Sequence, residues 1–419
     1  MSFSGDTSDR RFNDTSKALT ILLVITGLFL FIGCVNVYSS TFYMNLQNGT
    51  GVYSHLFKHL IYLCLGLFIA MGLIPALGNA KIRQMNKGFV IITVLLLIAV
   101  LVVGRTVNGA TRWIMMGPIS LQPSEIAKVV GIIWTASYLT KKMKTHQEIT
   151  ILKKIWYGLF HRKSGRNEDT IDSTIHYFTP LYIPFLMAIL VLKEPDMGTA
   201  GMILCFPLML YFIAGLPYKE VGAISIIAFI SAGILAYIEP YRWDRVKAVI
   251  DPFSYESGLG YQTVQGLIAI GSGGLFGQGA GEGVSKFSYL PEQYTDFAYA
   301  IFGQEWGFVG AFSLLFLYIL FMICGFILAG QTKYTYESFL IYGLTMLISA
   351  QGIINIAMIL GCFPVTGIPL PFISYGGTSL VINLVAVGLI REAFIAGQKK
   401  RDQEERKKHI AAMEGHPFR

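Results

Sequence analysis

Long apolar runs separated by short polar segments dominate the chain. A transmembrane helix needs about 20 mostly apolar residues, and helices satisfy their own backbone hydrogen bonds inside a bilayer. The pattern therefore predicts an all-α polytopic membrane protein with about ten transmembrane helices. The predicted spans cover about residues 18–43, 56–77, 88–103, 122–140 and 178–192, two that end near residues 216 and 238, and then 296–330, 336–362 and 374–396.

Composition supports this class. Hydrophobic residues make up 53% of the chain and charged residues only 14%, whereas soluble domains carry about 25% charged residues. The five cysteines are scattered without a C-x-x-C pair, so we interpret them as small core residues. The first apolar run is too long for a signal peptide, and no cleaved signal is predicted.

The net charge of +8 does not predict a nucleic-acid partner, because the basic residues concentrate on one side of the ten-span arrangement. This is the positive-inside bias of cytoplasmic segments, and it predicts that both termini are cytoplasmic. The predicted parts are an N-terminal tail (1–17), a membrane domain (18–397) and a charged tail (398–419). The membrane domain includes a cytoplasmic loop at about 141–177. The one-sided basic residues are Arg10, Arg11, Lys17, Lys81, Arg83 and Lys87, with further Lys and Arg within 141–166 and 399–408.

One extracellular segment, about residues 239–295, is far longer than ordinary connections. Loops of this length are usually functional or disordered, and the aromatic and apolar content of this one predicts order. Its glycine-rich run, residues 271–283, has no G-K-[ST] ending, so it is not a nucleotide-binding P-loop. We expect a tight loop beside the bundle, with an anion contact as an alternative. Zinc and serine-hydrolase motifs are absent from the sequence.

Charged residues outside the cytoplasmic segments gather at the extracellular side. Charges in or near spans are costly and usually line a cavity, so this asymmetry predicts a substrate site there. The candidate substrate-binding residues are Arg112, Glu125, Lys128, Lys193, Asp196, Arg242, Arg245, Glu292 and Glu305.

Several candidates have structural alternatives. Glu125 and Lys128, three residues apart, could pair with each other, and Lys128 could instead snorkel to the surface. Arg112 could anchor the interface beside Trp113, and Asp196 could cap the next helix. Arg242 and Arg245 could lie on lipid head groups.

Asp296 stands at the start of the eighth predicted span. In a helix from about residue 295 to 330, Asp296, Ala300, Gly303, Gly307 and Gly310 would share one face. Small residues along a face permit close helix packing, so this carboxylate is expected to point into the bundle. The residues alone favour a charge stabilised by the helix N-terminus.

Five motifs together resemble the RodA/FtsW/SpoVE (SEDS) family of peptidoglycan polymerases. They are Asn-Gly-Ala-Thr-Arg-Trp-Ile (108–114), Gln-Pro-Ser-Glu-Ile-Ala-Lys (122–128), Glu-Pro-Asp-Met-Gly-Thr (194–199), Leu-Pro-Glu-Gln-Tyr-Thr-Asp-Phe (290–297) and Pro-Leu-Pro-Phe-Ile-Ser-Tyr-Gly-Gly-Thr (369–378). The resemblance spans the chain from the first predicted span to the tenth. Weak similarities at 268–274 and 366–372 favour elongation members over division or sporulation members.

The resemblance implies a bacterial cytoplasmic-membrane glycosyltransferase whose active site faces the extracytoplasmic side. Its substrate would be lipid II, and its partners a class B penicillin-binding protein and other elongation or division proteins. The essential aspartate of the family falls on Asp296, which would act as general base. Arg112, Lys128, Arg242 and Arg245 would contact the pyrophosphate or lipid carrier. No cofactor is assigned, and a divalent cation, Mg²⁺ or Mn²⁺, is an alternative source of positive charge.

Two other functions stay open at this point. A lipid II flippase predicts ionisable groups at several membrane depths, whereas the charges here gather on one side. A non-catalytic scaffold predicts a large cytoplasmic platform, whereas the C-terminal tail is short.

Overall fold

Helices make up almost all regular structure in the computed structural model. The residues that it describes are 5–107, 110–117, 119–144, 181–215, 218–238, 240–258, 260–287, 290–332 and 335–413. Six helices in these ranges are long and apolar enough to cross a membrane, and two shorter apolar helices accompany them. The all-α membrane fold is therefore confirmed, whereas the count of ten spans and the side on which the termini lie stay predictions.

The helices follow the predicted apolar runs closely. A π-helical turn, Ile69–Leu73, joins α2 to α3, and the resulting apolar element Ser54–Gln84 is kinked at Gly78 (φ 71°, ψ 153°). The helices are α1 Gly5–Gln47, α2 Ser54–Phe68, α3 Ile74–Gln84, α4 Asn86–Val103, α5 Pro123–Lys144, α6 Leu181–Leu192, α7 Met197–Ile213, α8 Tyr218–Ile238, α9 Pro240–Ile250, α10 Tyr261–Ser272, α11 Ala298–Gly330, α12 Tyr336–Ile359 and α13 Gly377–Met413.

A small antiparallel sheet fills the connection between α4 and α5, which the sequence predicted only as a loop. Its strands are β1 Arg105–Val107, β2 Ala110–Met116 and β3 Ile119–Leu121, in that order. The sheet is tied to the bundle because Ser120 N donates to Tyr62 Oη (3.0 Å). In addition, Thr378 Oγ1 donates to the Ser120 carbonyl (2.8 Å). The sheet thereby fixes the position of Arg112 on β2.

The central element of the bundle is α12. In its most apolar window 78% of the residues are buried, against 22% for Ser54–Gln84. A buried aromatic group connects its neighbours: Phe29 of α1 stacks on Tyr318 of α11 (ring centroids 4.4 Å apart) and on Phe372 (5.8 Å). Tyr318 Oη donates to the Pro371 carbonyl (2.6 Å). The loop between α12 and α13 is therefore anchored in the core.

The helical face predicted for Asp296 is wrong. Helix α11 begins at Ala298, so Asp296 lies in the turn before it, and the helix is broken at Gly307 (φ 66°, ψ −168°). The glycine-rich run causes the break, because Phe308 N donates to the Gly274 carbonyl (2.8 Å) and Val309 N to the Leu275 carbonyl (3.1 Å). A Cβ on Gly277 would lie 2.1 Å from the Glu305 carbonyl oxygen, so the contact requires glycine.

The long segment predicted to be extracellular, 239–295, is ordered over its described residues, as predicted. It contains α9, α10 and two short 3₁₀ helices, Phe253–Tyr255 and Val284–Lys286. The glycine-rich run is the predicted tight loop beside the bundle. Most of the predicted cytoplasmic loop, from residue 145 onward, lies outside the described residues, as does residue 239.

Candidate active site

Asp296 lies at the end of the bundle where α12 finishes, and its side chain is partly exposed. Three hydrogen bonds fix the turn around it. Asn355 Nδ2 donates to the Asp296 carbonyl (2.8 Å), Ser374 Oγ donates to the Thr295 carbonyl (2.5 Å), and Tyr375 N donates to the Tyr294 carbonyl (2.8 Å). These bonds hold the main chain and do not use the carboxylate.

The 361–376 loop, between α12 and α13, forms one wall of the site. Two side-chain amides of α12 hold it: Asn355 Nδ2 donates to the Ile368 carbonyl (2.7 Å) and Gln351 Nε2 to the Pro369 carbonyl (3.0 Å). Gly367 has φ +68°, and a Cβ built there would lie 3.4 Å from Asp296 Oδ2 and 3.7 Å from Arg112 Nη1. The carboxylate and the guanidinium therefore approach the same point of this loop.

Arg112 reaches the site from β2 and is held by the segment before α7. Its Nε donates to the Glu194 carbonyl (3.3 Å) and its Nη2 to the Pro195 carbonyl. Its Nε also lies 3.8 Å from Asp196 Oδ2. Asp196 caps α7, accepting hydrogen bonds from Thr199 N (3.0 Å) and Thr199 Oγ1 (2.9 Å). The predicted cap is present, and the same carboxylate orients Arg112.

Arg245 contributes a second cation from α9. Its Nη1 donates to the Val365 carbonyl of the 361–376 loop (2.8 Å). Lys193 is exposed at the end of α6. The Arg242 side chain lies outside the described part of the chain, so its predicted role stays a prediction.

Glu125 and Lys128 form a buried ion pair. Lys128 Nζ lies 2.8 Å from Glu125 Oε1, and the two side chains are 1% and 2% exposed. Lys128 Nζ also donates to Gln351 Oε1 (2.8 Å). The predicted pairing is present and the snorkelling alternative is wrong. Because Gln351 donates to the Pro369 carbonyl, the buried ion pair supports the 361–376 loop through this amide.

The five sequence motifs that form this site agree with a match along most of the chain. The sequence profile of the family described as "Cell cycle protein", which groups FtsW, RodA and SpoVE, matches residues 19–399.

The chain belongs to this family.

Relatives within the family extend over most of their own length. A protein of Coxiella burnetii named "Probable peptidoglycan glycosyltransferase FtsW" is 34% identical, and the alignment covers 88% of this chain and 94% of that protein. A protein of Tolumonas auensis with the same name is 35% identical, with 88% and 90% covered. Because both are named FtsW, the slight preference for elongation members gains no support.

Solved structures in the family have the same fold. One comes from work on the structural coordination of polymerization and crosslinking by a peptidoglycan synthase complex. Its chain has a TM-score of 0.69 and 27% identity, with 90% of this chain and 97% of that chain covered. The crystal structure of the rod shape determining protein RodA of Thermus thermophilus has a TM-score of 0.62 and 25% identity, with 89% and 95% covered. This family member is a multi-pass protein of the bacterial cytoplasmic membrane.

Of the predicted substrate-binding residues, Glu292 lies near Asp296 and Glu305 lies against the glycine-rich loop. Glu292, in the Asp296 turn, accepts a hydrogen bond from Thr295 Oγ1 (2.7 Å). The Glu305 carboxylate contacts other residues than Asp296. It is buried, 3.2 Å from Lys286 Nζ, and accepts from Ser39 Oγ (2.5 Å). Lys286 Nζ also donates to the Gly281 carbonyl, and Gly279 N donates to the Glu305 carbonyl (3.1 Å). Glu305 therefore fixes the glycine-rich loop, and its predicted substrate contact stays a prediction.

The electrostatic surroundings suit a base that works near neutral pH. Although the Asp296 side chain is partly exposed, the surrounding protein desolvates its carboxylate and raises the pKa to about 7, and the negative charge of Glu292 adds to this effect. The nearby Arg112 guanidinium opposes the rise in this pKa, and Arg245 does so more weakly. The pKa of the neighbouring Tyr294 hydroxyl is also raised, by burial first and then by Glu292 and Asp296.

Sequence reasoning did not select Glu194 as a site residue. Its side chain is fully buried beside Arg112 and Asp196, and neither carboxylate oxygen has a hydrogen-bond partner among the described residues. Burial, followed by the charge of Asp196, raises the pKa of Glu194 to about 8. The available signal was an acidic residue two positions before a helix cap.

Sequence reasoning also missed the amides Asn355 and Gln351. Their signal was the presence of two amides in a long apolar helix. Within the described part of the chain, no three His, Cys, Asp or Glu side chains cluster so as to hold a metal ion. The positive charges that the described structure places beside the Asp296 turn are those of Arg112 and Arg245.

Proposed function

We propose that this protein polymerises lipid II into β-1,4-linked glycan strands at the outer face of the cytoplasmic membrane, with Asp296 as the general base. The relatives named peptidoglycan glycosyltransferase support the activity. The observation that carries the assignment is the approach of the Asp296 carboxylate and the Arg112 guanidinium to one point of the 361–376 loop.

In this reaction the 4-hydroxyl of an acceptor GlcNAc attacks C1 of the donor MurNAc. A C–O bond forms at C1, the bond from C1 to the pyrophosphate oxygen breaks, and undecaprenyl pyrophosphate departs as an anion. Asp296 accepts the hydroxyl proton. A base is most effective when its pKa lies near the working pH, and the raised pKa of about 7 for Asp296 meets that condition. Attack opposite the leaving group inverts the α-linked donor to a β product, by analogy with inverting glycosidases.

The departing pyrophosphate needs positive charge. Arg112 and Arg245 converge on the 361–376 loop from two different elements, and fixed guanidinium groups stabilise developing negative charge in a partly dehydrated site. Lys128 is buried under the same loop. We therefore assign it to positioning the loop, while the two arginines contact the pyrophosphate.

The proposed partner is a class B penicillin-binding protein, together with other division or elongation proteins. Support comes from the structural likeness to a chain of a peptidoglycan synthase complex that coordinates polymerization with crosslinking. A flippase is less well supported, because α12, which runs through the centre of the bundle, carries no charged residue after Glu337.

The test is polymerisation of labelled lipid II by the purified protein in proteoliposomes. Asp296→Asn keeps the shape of the side chain and removes the base, and we expect the rate to fall at least about a hundredfold. Asp251→Asn is the matched control, because Asp251 is exposed in the same predicted extracellular segment and its carboxylate accepts hydrogen bonds from the neighbouring Ser254. Unchanged polymerisation by Asp296→Asn would rule out the general-base role. Lipid II translocation without polymerisation by the wild type would support the flippase instead.

A further inference from the structure

A cavity with charged residues in its wall lies at the end of the bundle opposite Asp296. It has a volume of about 710 Å³ and is lined by Arg83, Lys87, Lys141, Lys400, Asn79 and Glu337, among others. Glu337 is the second residue of α12, and Asn355, which holds the Asp296 turn, lies 18 residues further along the same helix. At 1.5 Å per residue this separation is about 27 Å, so the cavity is distinct from the proposed active site.

The cavity has an excess of positive charge. Four cationic side chains line it with a single carboxylate, that of Glu337. This carboxylate already has partners, because Glu337 Oε1 accepts from Asn79 Nδ2 (2.9 Å) and contacts Lys400 Nζ. Among the described residues, Arg83, Lys87 and Lys141 form no ion pair. Arg83 instead lies over the ring of Tyr336, 4.9 Å from its centroid.

Two residues of the cavity wall also carry a buried hydrogen-bond acceptor without a donor in the described structure. Asn86 is 7% exposed and its Oδ1 has no partner in the described structure, and neither has Glu337 Oε2. Buried polar atoms without partners are costly. A ligand that carries hydroxyl groups beside a negative charge would satisfy both features: its anion would face the three cations, and its hydroxyls would donate to these two oxygens.

The position of the cavity indicates where such a ligand comes from. The cavity lies at the turn between α3 and α4, at the far end of α5 and beside the part of α13 that extends toward the basic tail. The charge distribution predicts that this end faces the cytoplasm, and basic pockets between helices on that side bind anionic lipid head groups. Trp134 and Tyr138 at the cavity wall suit the membrane interface.

We propose that this cavity binds a phosphate diester bearing hydroxyl groups, supplied by the glycerol head group of an anionic phospholipid in the cytoplasmic leaflet. The phosphate lies against Arg83, Lys87 and Lys141, and the glycerol hydroxyls donate to Glu337 Oε2 and Asn86 Oδ1. The proposal does not depend on the reaction at Asp296.

The test is native mass spectrometry of the purified full-length protein titrated with phosphatidylglycerol, and with phosphatidylcholine as the neutral reference. The variant Lys87→Gln with Lys141→Gln removes two exposed cations of the cavity. The control Lys407→Gln with Lys408→Gln removes the same charge from the exposed tail helix at the same end of the protein. We expect the cavity variant to lose about tenfold in apparent affinity for phosphatidylglycerol, and the control to lose less than twofold.

Equal losses in the two variants would show that the lipid responds only to general surface charge, and would overturn the proposal. A second titration uses soluble glycerol 3-phosphate. If that compound binds the wild type and displaces phosphatidylglycerol at micromolar concentration, the lipid assignment is overturned and the site belongs to a soluble phosphate ester. If it fails to compete at millimolar concentration, the phosphate is supplied by a membrane lipid.

Discussion

A single amide of Asn355 donates to two carbonyls, those of Asp296 (2.8 Å) and Ile368 (2.7 Å). The turn that carries the base and the loop that faces it are thus held by one side chain of the central helix. We expect Asn355→Ala to lower kcat by at least about tenfold, because small misplacements of a catalytic group are costly. The free energy of unfolding should fall by about 1–3 kcal/mol, as for other lost buried hydrogen bonds.

The control for this change is Asn383→Ala. Asn383 is also a buried amide, on α13, and it donates to Ser379 Oγ (3.3 Å). This variant should lose stability and keep its rate of lipid II polymerisation once it is folded in proteoliposomes. Equal kcat values for the two folded variants would contradict a positioning role for Asn355.

Polymerisation should decline at acidic pH. With the pKa of Asp296 raised to about 7, the carboxylate becomes protonated below that pH and cannot accept the hydroxyl proton, so kcat/KM should fall about tenfold per pH unit. Glu292→Gln removes a negative charge that raises this pKa, so the acidic limb of the profile should move to lower pH. The measurement is kcat/KM from pH 5 to 9, with Glu282→Gln as an exposed control. Identical profiles for the two variants would contradict the influence of Glu292.

Glu194 should make the protein less stable as pH rises. Its pKa in the folded state is raised from 4.5 to about 8, so the folded protein binds this proton more tightly than the unfolded chain does. The stability associated with the protonated carboxyl is complete below pH 4.5 and is lost as pH rises toward 8. Glu194→Gln should therefore raise the unfolding temperature at pH 9 relative to the wild type.

The same variant should have little effect at pH 4.5, where Glu194 is protonated in the folded protein and half protonated in the unfolded chain. Thermal unfolding of purified protein at pH 4.5, 7 and 9 measures this difference, and Glu256→Gln serves as an exposed control. A difference in unfolding temperature that stays constant with pH would show that folding does not raise the pKa of Glu194.

Gly367→Ala should damage the site more than the fold. Its φ of +68° disfavours a side chain, and the added Cβ would face Asp296 Oδ2 at 3.4 Å. Gly361→Ala is a matched control, because its φ is +76° and its nearest neighbours are side-chain methyl groups of Thr263 and Leu267 at 3.7 and 3.8 Å. Both variants should lose about 1–2 kcal/mol of stability. We expect only Gly367→Ala to lower the polymerisation rate, and an equal loss of rate in Gly361→Ala would refute the specific effect.

Much of the architecture could be predicted because it depends on local pattern. Apolar run lengths indicated the helices, the i, i+3 spacing indicated the Glu125–Lys128 pair, and an acidic residue before an apolar run indicated the Asp196 cap. The family motifs directed attention to Asp296. Each of these signals lies within a few neighbouring residues or within a known motif.

What could not be predicted depends on contacts between distant segments. Periodicity assumes an unbroken helix, so it placed Asp296 and Glu305 on α11 without the break that the glycine-rich loop imposes at Gly307. The burial of Glu194 depends on how the segment before α7 meets Arg112 of β2. The role of Asn355 depends on two carbonyls that are 59 and 13 residues away in the chain.

The break at Gly307 also affects the depth at which the Asp296 carboxylate lies relative to the membrane. Backbone hydrogen bonds fasten both sides of the break to the glycine-rich loop: Gln278 N and Gly279 N donate to the Gln304 and Glu305 carbonyls, and Phe308 N and Val309 N donate to the Gly274 and Leu275 carbonyls. The later part of α11 exposes Phe308, Phe312 and Phe316 on its surface. Membrane helices tilt to match the thickness of the lipid around them. Because the glycine-rich loop holds α11 at a point between the exposed part and Asp296, we expect the height of the carboxylate to follow the 239–295 segment and not the thickness of the bilayer.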